Sequence, residues 1–181
     1  MSLSRQSNTF AEAMLSKVIE PHRMEHKVVE LRALGNTVAT LNGSFDLMHA
    51  GHLEVIFQAS KQADILILAL NTDRSIKEYK SPLRPIIPLE YRLPMMAALE
   101  MVDYVTWFDE IDPRQILSQI KPDVHVNGAE YGENCIEAET VRSYGGRIHI
   151  VSLIPGLSTS HIIKKITQTY EPISKLEKHA F

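Results

Sequence analysis

Residues 65–70 read ILILAL, six apolar residues without a break. A half-exposed strand alternates apolar and polar side chains, and an amphipathic helix repeats every three to four residues; this run does neither. It is too short for a buried helix and fits a strand with both faces covered. Such strands belong to parallel sheets, whose neighbours are joined by long crossovers, usually helices. The run therefore points to an α/β chain with helices on both sides of one sheet.

The rest of the sequence from Asn36 keeps that rhythm. A β-branched and apolar run at 37–42 predicts a first strand, and a helix follows over 50–62 with Leu53, Ile56 and Phe57 at helical spacing. After the 65–70 strand comes a loop, 75–88, with Pro82, Pro85 and Pro88 among Lys77, Lys80 and Arg84. A helix over 89–100, a strand over 102–108 and a helix capped by Asp112 with Pro113 at its first position follow. Residues 123–127 read as a fourth strand, 134–144 as a helix ended by Gly145-Gly146, and 147–153 as a fifth strand. A last helix starts near Ser158 with Ile162, Ile163 and Ile166 inward. Alternation of this kind implies right-handed crossovers and ligands at the carboxyl ends of the strands.

Residues 8–34 precede this pattern and read as two helical segments broken at Pro21. Asn8 or Thr9 caps the first, which places Phe10, Met14, Leu15 and Val18 on one face. The second turns Val28, Leu31 and Leu34 inward and stops at Gly35-Asn36. The segment is expected to be an arm on the core or on another subunit. The division expected is an extension over 1–35, the main domain over 36–170 and a polar tail over 171–181.

At 181 residues, 44% hydrophobic and 23% charged, the chain has the size and balance of one soluble domain. A formal net charge of −3 gives no nucleic-acid footprint, so local basic groups must do any phosphate binding. No apolar run reaches membrane-spanning length, and the first residues lack the apolar core of a signal peptide. A single cysteine, Cys135, excludes a disulfide framework and fits a reducing, cytoplasmic setting.

The chemistry concentrates where the first strand becomes a helix. The stretch Thr40–Leu53 reads TLNGSFDLMHAGHL. A glycine-bearing loop that enters a helix N-terminus offers unpaired N–H groups and a favourable dipole to an anion. His49 and His52 stand three apart on one side of that entry, and Gly51 leaves room for a ligand. Gly43, Ser44 and Phe45 form the loop, and Asp46 either closes an Asx turn, orients a histidine or holds a metal through water. No third ligand near the histidines suggests zinc. The ligand this arrangement fits is a nucleoside triphosphate, with the imidazoles bonding phosphate oxygens as charge builds.

Three later segments also follow strand ends. Lys80 is the choice for a mobile cation reaching the phosphates. Ser158, Thr159 and Ser160 supply an N-cap and a second anion cradle. Asn127 and Gly128 end the fourth strand, where a glycine lets a base lie against the backbone.

Gly43-Ser44-Phe45-Asp46 followed by His49-Ala50-Gly51-His52 matches the G-x-F-D…H-x-G-H signature of the cytidylyltransferase-like nucleotidyltransferases. From about Met24 to Ile166 the chain further resembles the bacterial heptose-1-phosphate adenylyltransferases, the ADP-heptose synthases of lipopolysaccharide core assembly. That resemblance implies a three-layer α/β/α Rossmann-like fold around a five-stranded parallel sheet, with an N-terminal helical extension. It also implies a catalytic set of His49, His52 and Lys80, with Arg84 and Arg92 on the acceptor. Arg92 has a plainer role open to it as a surface ion-pair partner of Glu90 or Glu100. The chain departs from the heptose enzymes at Ser81, Asn127, Ala129 and Glu130, where glycine, lysine, glycine and aspartate are usual.

The activity so implied is transfer of AMP from ATP to a sugar 1-phosphate with release of pyrophosphate, Mg²⁺ being held mainly by phosphates and water. A cytoplasmic homodimer is expected, with neither nucleic acid nor membrane as partner. Two rivals stand beside it: a CTP-dependent cytidylyltransferase for a polyol or amino-alcohol phosphate, and a catalytically silent nucleotide-binding subunit. Polyol enzymes usually carry an arginine before the glycine ahead of the last helix, where this chain has Ile154-Pro155. A dinucleotide-binding oxidoreductase would need G-x-G-x-x-G in the first loop, which is missing.

Overall fold

The computed structural model describes residues 9–152 and 156–177. Five parallel strands form one sheet: β1 (Val38–Gly43), β2 (Ile65–Asn71), β3 (Tyr104–Phe108), β4 (Val124–Gly128) and β5 (Arg147–Val151). Their order is β3-β2-β1-β4-β5. The chain moves outward from β1 to β3, then crosses back to β4 on the other side of β1. The crossover helices that join β1, β2 and β3 therefore cover one face and the crossover that follows β3 covers the other. Where β1 and β4 lie side by side, the crossovers that follow them leave in opposite directions, and a crevice opens beyond the strand ends.

The helices between the strands are α3 (Ala50–Ser60), α4 (Asp73–Tyr79), α5 (Leu89–Ala97), α6 (Arg114–Ile120) and α7 (Ala138–Ser143); α8 (Thr159–Glu177) ends the described chain. Ile56 and Ala59 of α3 and Met96 and Ala97 of α5 pack with Leu41, Leu66, Leu68 and Val126 in one core. Ile116 and Ile120 of α6 pack with Val38, Ile67, Ala69 and Phe108 in the other. The unbroken apolar run of β2 thus supplies both cores, as two-sided burial requires.

The N-terminal segment is more than an arm. A short α1 (Phe10–Met14) carries a reciprocal cap: Thr9 Oγ1 accepts from the Glu12 N–H and the Glu12 carboxylate from the Thr9 N–H. The chain then runs along the outer edge of β3, where Val18 bridges Val105 and the Ile19 N–H donates to the Val105 carbonyl. That contact covers an otherwise open sheet edge. Helix α2 (Pro21–Ala33) buries Met24 and Val28 in the α6-side core, and its Leu31 is buried as well.

Several expectations are corrected. Leu34 is 79% exposed and Phe10, Leu15, Leu53, Phe57 and Ile166 also face outward, because each helix has one buried stripe narrower than its apolar content. Residues 75–79, expected to be loop, belong to α4 (Asp73–Tyr79); Thr72 caps it by accepting from the Ser75 N–H. Asp112 lies one residue outside its helix, which starts after Pro113, and accepts from the Arg114 N–H instead. The segment 134–137 stays non-helical, so α7 is only its second half. β3 starts two residues late, with Val102 buried ahead of it. Residues 171–177, expected to be tail, continue α8; Ile154-Pro155 and residues 178–181 lie outside the described residues.

Candidate functional site

The crevice beyond β1 and β4 has a volume of about 500 Å³. Its floor is set by asparagines at three strand ends: Asn42 on β1, Asn71 on β2 and Asn127 on β4. Polar side chains at the ends of apolar strands are affordable only where the sheet stops being covered. Their positions were a legible signal, although only Asn127 was singled out from sequence.

One wall is the β1–α3 loop. Phe45 has φ +44°, a left-handed conformation that is uncommon outside glycine. It turns its ring toward His52, with centroids 5.8 Å apart. His49 is the N-cap of α3 without a side-chain capping bond, so its ring is not spent on the helix. The two imidazoles stack, centroids 3.9 Å apart and planes 29° from parallel. Both line the crevice, and the Nδ1 of each is buried without a hydrogen-bond partner among the described residues. A Cβ on Gly51 would stand 3.0 Å from His49 Cε1 and Nδ1, so this glycine makes room for the ring as well as for a ligand.

Charge follows from this packing. Burial, then the charges of His49 and Lys80, lowers His52 to about 4; burial also lowers His49. Two stacked rings cannot both charge cheaply beside an ammonium. Burial and then Arg84 lower Lys80, while Asp46 pulls it back. The free site therefore holds neutral imidazoles beside one ammonium. A polyphosphate entering there would favour their protonated forms.

Lys80 reaches the β1 loop, its Nζ donating to Ser44 Oγ at 3.0 Å. Asp46 serves neither as an orienter of histidine nor as a metal ligand. It is 1% exposed and accepts from the Ile86 and Ile87 N–H groups at 2.8 Å each and from Arg84 Nε at 2.6 Å. Burial alone would raise its pKa; those two amides and Arg84 outweigh it and hold the carboxyl below the usual range. Asp46 thus pins the proline-bearing loop against the β1 loop.

The expected set divides. Gly43, Ser44, Phe45, His49, Gly51, His52, Lys80, Asn127, Gly128, Ser158 and Thr159 all line the crevice. Asp46, Arg84, Arg92 and Ser160 do not. Arg92 is a correction to both of its readings. Its side chain is 0% exposed, and it donates to the carbonyls of Ile87, Ser44 and Asn71 and to Asp73 Oδ1. It ties three loops together beneath the site and has no surface to offer an acceptor. Arg84 is engaged with Asp46. Ser158 Oγ accepts from the His161 N–H at 3.2 Å, so it caps α8. The first N–H groups of that helix then lie beside the crevice without intrahelical acceptors.

Sequence reading passed over Tyr79, Asp112 and Glu137, which also line the crevice. Tyr79 adjoins Lys80 on the last turn of α4, a helix that was not foreseen. Burial pushes its hydroxyl up to about 12. Glu137 had no local signal at all.

Strand order, switch-point crevice and paired imidazoles together define a Rossmann-like nucleotidyltransferase fold. Residues 40–175 match the family described as Cytidylyltransferase-like, and the chain belongs to that family. It is 41% identical over 141 residues to the bifunctional protein HldE of Syntrophotalea carbinolica, a match covering 77% of this chain and 29% of that one. With the bifunctional protein HldE of Alcanivorax borkumensis it shares 42% identity over 142 residues, 78% of this chain and 30% of that one. The chain thus spans about three-tenths of the length of these relatives. A crystal structure of the lipopolysaccharide core biosynthesis protein from Thermoplasma volcanium is similar with TM-score 0.54 and 25% identity, over 66% of this chain and 98% of that one.

Proposed function

We propose that the chain transfers AMP from ATP to a sugar 1-phosphate, a heptose 1-phosphate by its likeness to the HldE proteins, and releases pyrophosphate. The observation that carries this reading is the stacked His49–His52 pair lining the same crevice as Lys80. An acceptor phosphate oxygen forms a new bond to the α-phosphorus of ATP as the bond from that phosphorus to the bridging oxygen breaks. The electron pair of that bond leaves with pyrophosphate. A phosphate monoester is already ionised at neutral pH, so no side chain has to take a proton from it. Catalysis is alignment plus stabilisation of charge on the triphosphate, for which the imidazoles, Lys80 and the start of α8 are placed.

Mg²⁺ would arrive on the nucleotide. The chain does not fit it as a resident ion, since Asp46 is committed and no group of three or more metal-binding side chains occurs among the described residues. No step here depends on it. The reading carries two further expectations, a cytoplasmic location and a homodimer. No helix among the described residues is long and apolar enough to cross a membrane.

The test is pyrophosphate release with ATP or CTP against a panel of heptose, hexose and polyol phosphates. Release with ATP and heptose 1-phosphate alone is the expected result. Preference for CTP with a polyol phosphate, or tight nucleotide binding without release on any acceptor, would overturn it.

A further inference from the structure

The crevice has two ends of opposite character. Lys80 and the imidazoles occupy the β1–β2 side, while Asn127, Glu130 and Glu137 stand on the β4 side. Phosphates belong at the first end. The second end repels anions and suits a neutral, donor-rich part of the ligand. Of its carboxylates, Glu130 is exposed and folds over Gly128, whereas Glu137 is 5% exposed although it lines the crevice.

A buried glutamate normally has a cation or a structural duty. Glu137 forms no ion pair among the described residues and, at the N-cap of α7, makes no side-chain capping bond. Its hydrogen-bonding neighbours are the Asn127 amide, which donates to Oε2 at a long 3.4 Å, and the Cys135 thiol; Arg114 and Tyr131 feel its charge without pairing with it. Such a carboxylate retains acceptor capacity toward the crevice. We propose that Glu137, held by Asn127, reads the vicinal ribose hydroxyls of the bound nucleotide. A carboxylate at a strand-end crevice is suited to that diol, because it accepts from two neighbouring O–H donors at once. The proposal rests on the nucleotide reading above and adds to it a residue that selects ribose.

The test is isothermal titration of the full chain with Mg-ATP, Mg-2′-deoxy-ATP and Mg-3′-deoxy-ATP. The wild-type protein should bind ATP about 10- to 100-fold more tightly than either deoxy form. Glu137→Gln should reduce that ratio to about 3-fold or less by weakening ATP rather than by strengthening the deoxy forms. Equal wild-type affinity for all three, which needs no variant and no folding control, overturns the ribose assignment and leaves the nucleotide reading intact. Undiminished selection by Glu137→Gln, or a raised KM for the sugar phosphate alone, also overturns it, the latter assigning the carboxylate to the acceptor. Failure of the wild type to bind ATP overturns both.

Discussion

Arg92→Met replaces a buried guanidinium with an apolar side chain of comparable reach and removes four hydrogen bonds. The carbonyls of Ile87, Ser44 and Asn71 lose donors at 2.9, 2.6 and 3.0 Å, and Asp73 loses one at 2.7 Å. Bonds to a charged partner contribute about 1.5–3 kcal/mol each, and leaving a buried acceptor bare costs a similar amount. The sum overshoots, because the variant no longer buries a charge and the bonds are coupled. The Asp73 share is discounted further, since that carboxylate is partly solvated. A net loss of about 3–5 kcal/mol remains. For a chain of this size that lowers Tm by roughly 6–20 °C. Urea unfolding should show a lower midpoint with unchanged slope. Arg92→Lys should lose about half as much, because an ammonium cannot reach acceptors on three separate loops. Stability of Arg92→Met within about 0.5 kcal/mol of wild type would refute the reasoning. Unchanged stability with a raised acceptor KM in Arg92→Lys would return the residue to the substrate.

His52→Ala should lower turnover about 10²- to 10³-fold while nucleotide binding changes little; near-normal pyrophosphate release would remove the imidazole from the mechanism. Gly51→Ala should push the His49 ring aside, cutting turnover about 10-fold, while the better helix former keeps Tm at or above wild type. A variant of full activity would show that the ring position is immaterial. Acid should destabilise the protein through its buried histidines. His125 titrates at about 3 and His52 at about 4, both below their ordinary 6.5 because burial penalises the charged ring. The unfolded chain takes up protons as pH falls through 6.5 and the native chain does not. Their contribution is therefore whole above about pH 6.5 and is lost as pH falls toward 3–4. Urea midpoints from pH 7 to 4.5 should decline more steeply in wild type than in His125→Gln, by up to about 1.4 kcal/mol per pH unit. Equal slopes would sink that account.

The architecture and the place of the chemistry are legible in the residue pattern. Period and run length are local properties, so the apolar run of β2 and the strand–glycine–histidine passage at Thr40–Leu53 could be read without neighbours. The same holds for the hydroxyl-bearing start of α8. What a charged side chain does is not local, and it follows from which segments the fold brings together. Asp46 and Arg84 are 38 residues apart, and Arg92 reaches the Ser44 carbonyl across 48; their pairing depends on which loops the sheet order brings together. Glu137 was invisible for the same reason, since its burial beside Asn127 at the crevice comes from the fold and from nothing in its sequence neighbourhood. Local pattern thus fixes where strands end, and packing fixes which of the polar groups gathered there are already engaged and which remain for a ligand.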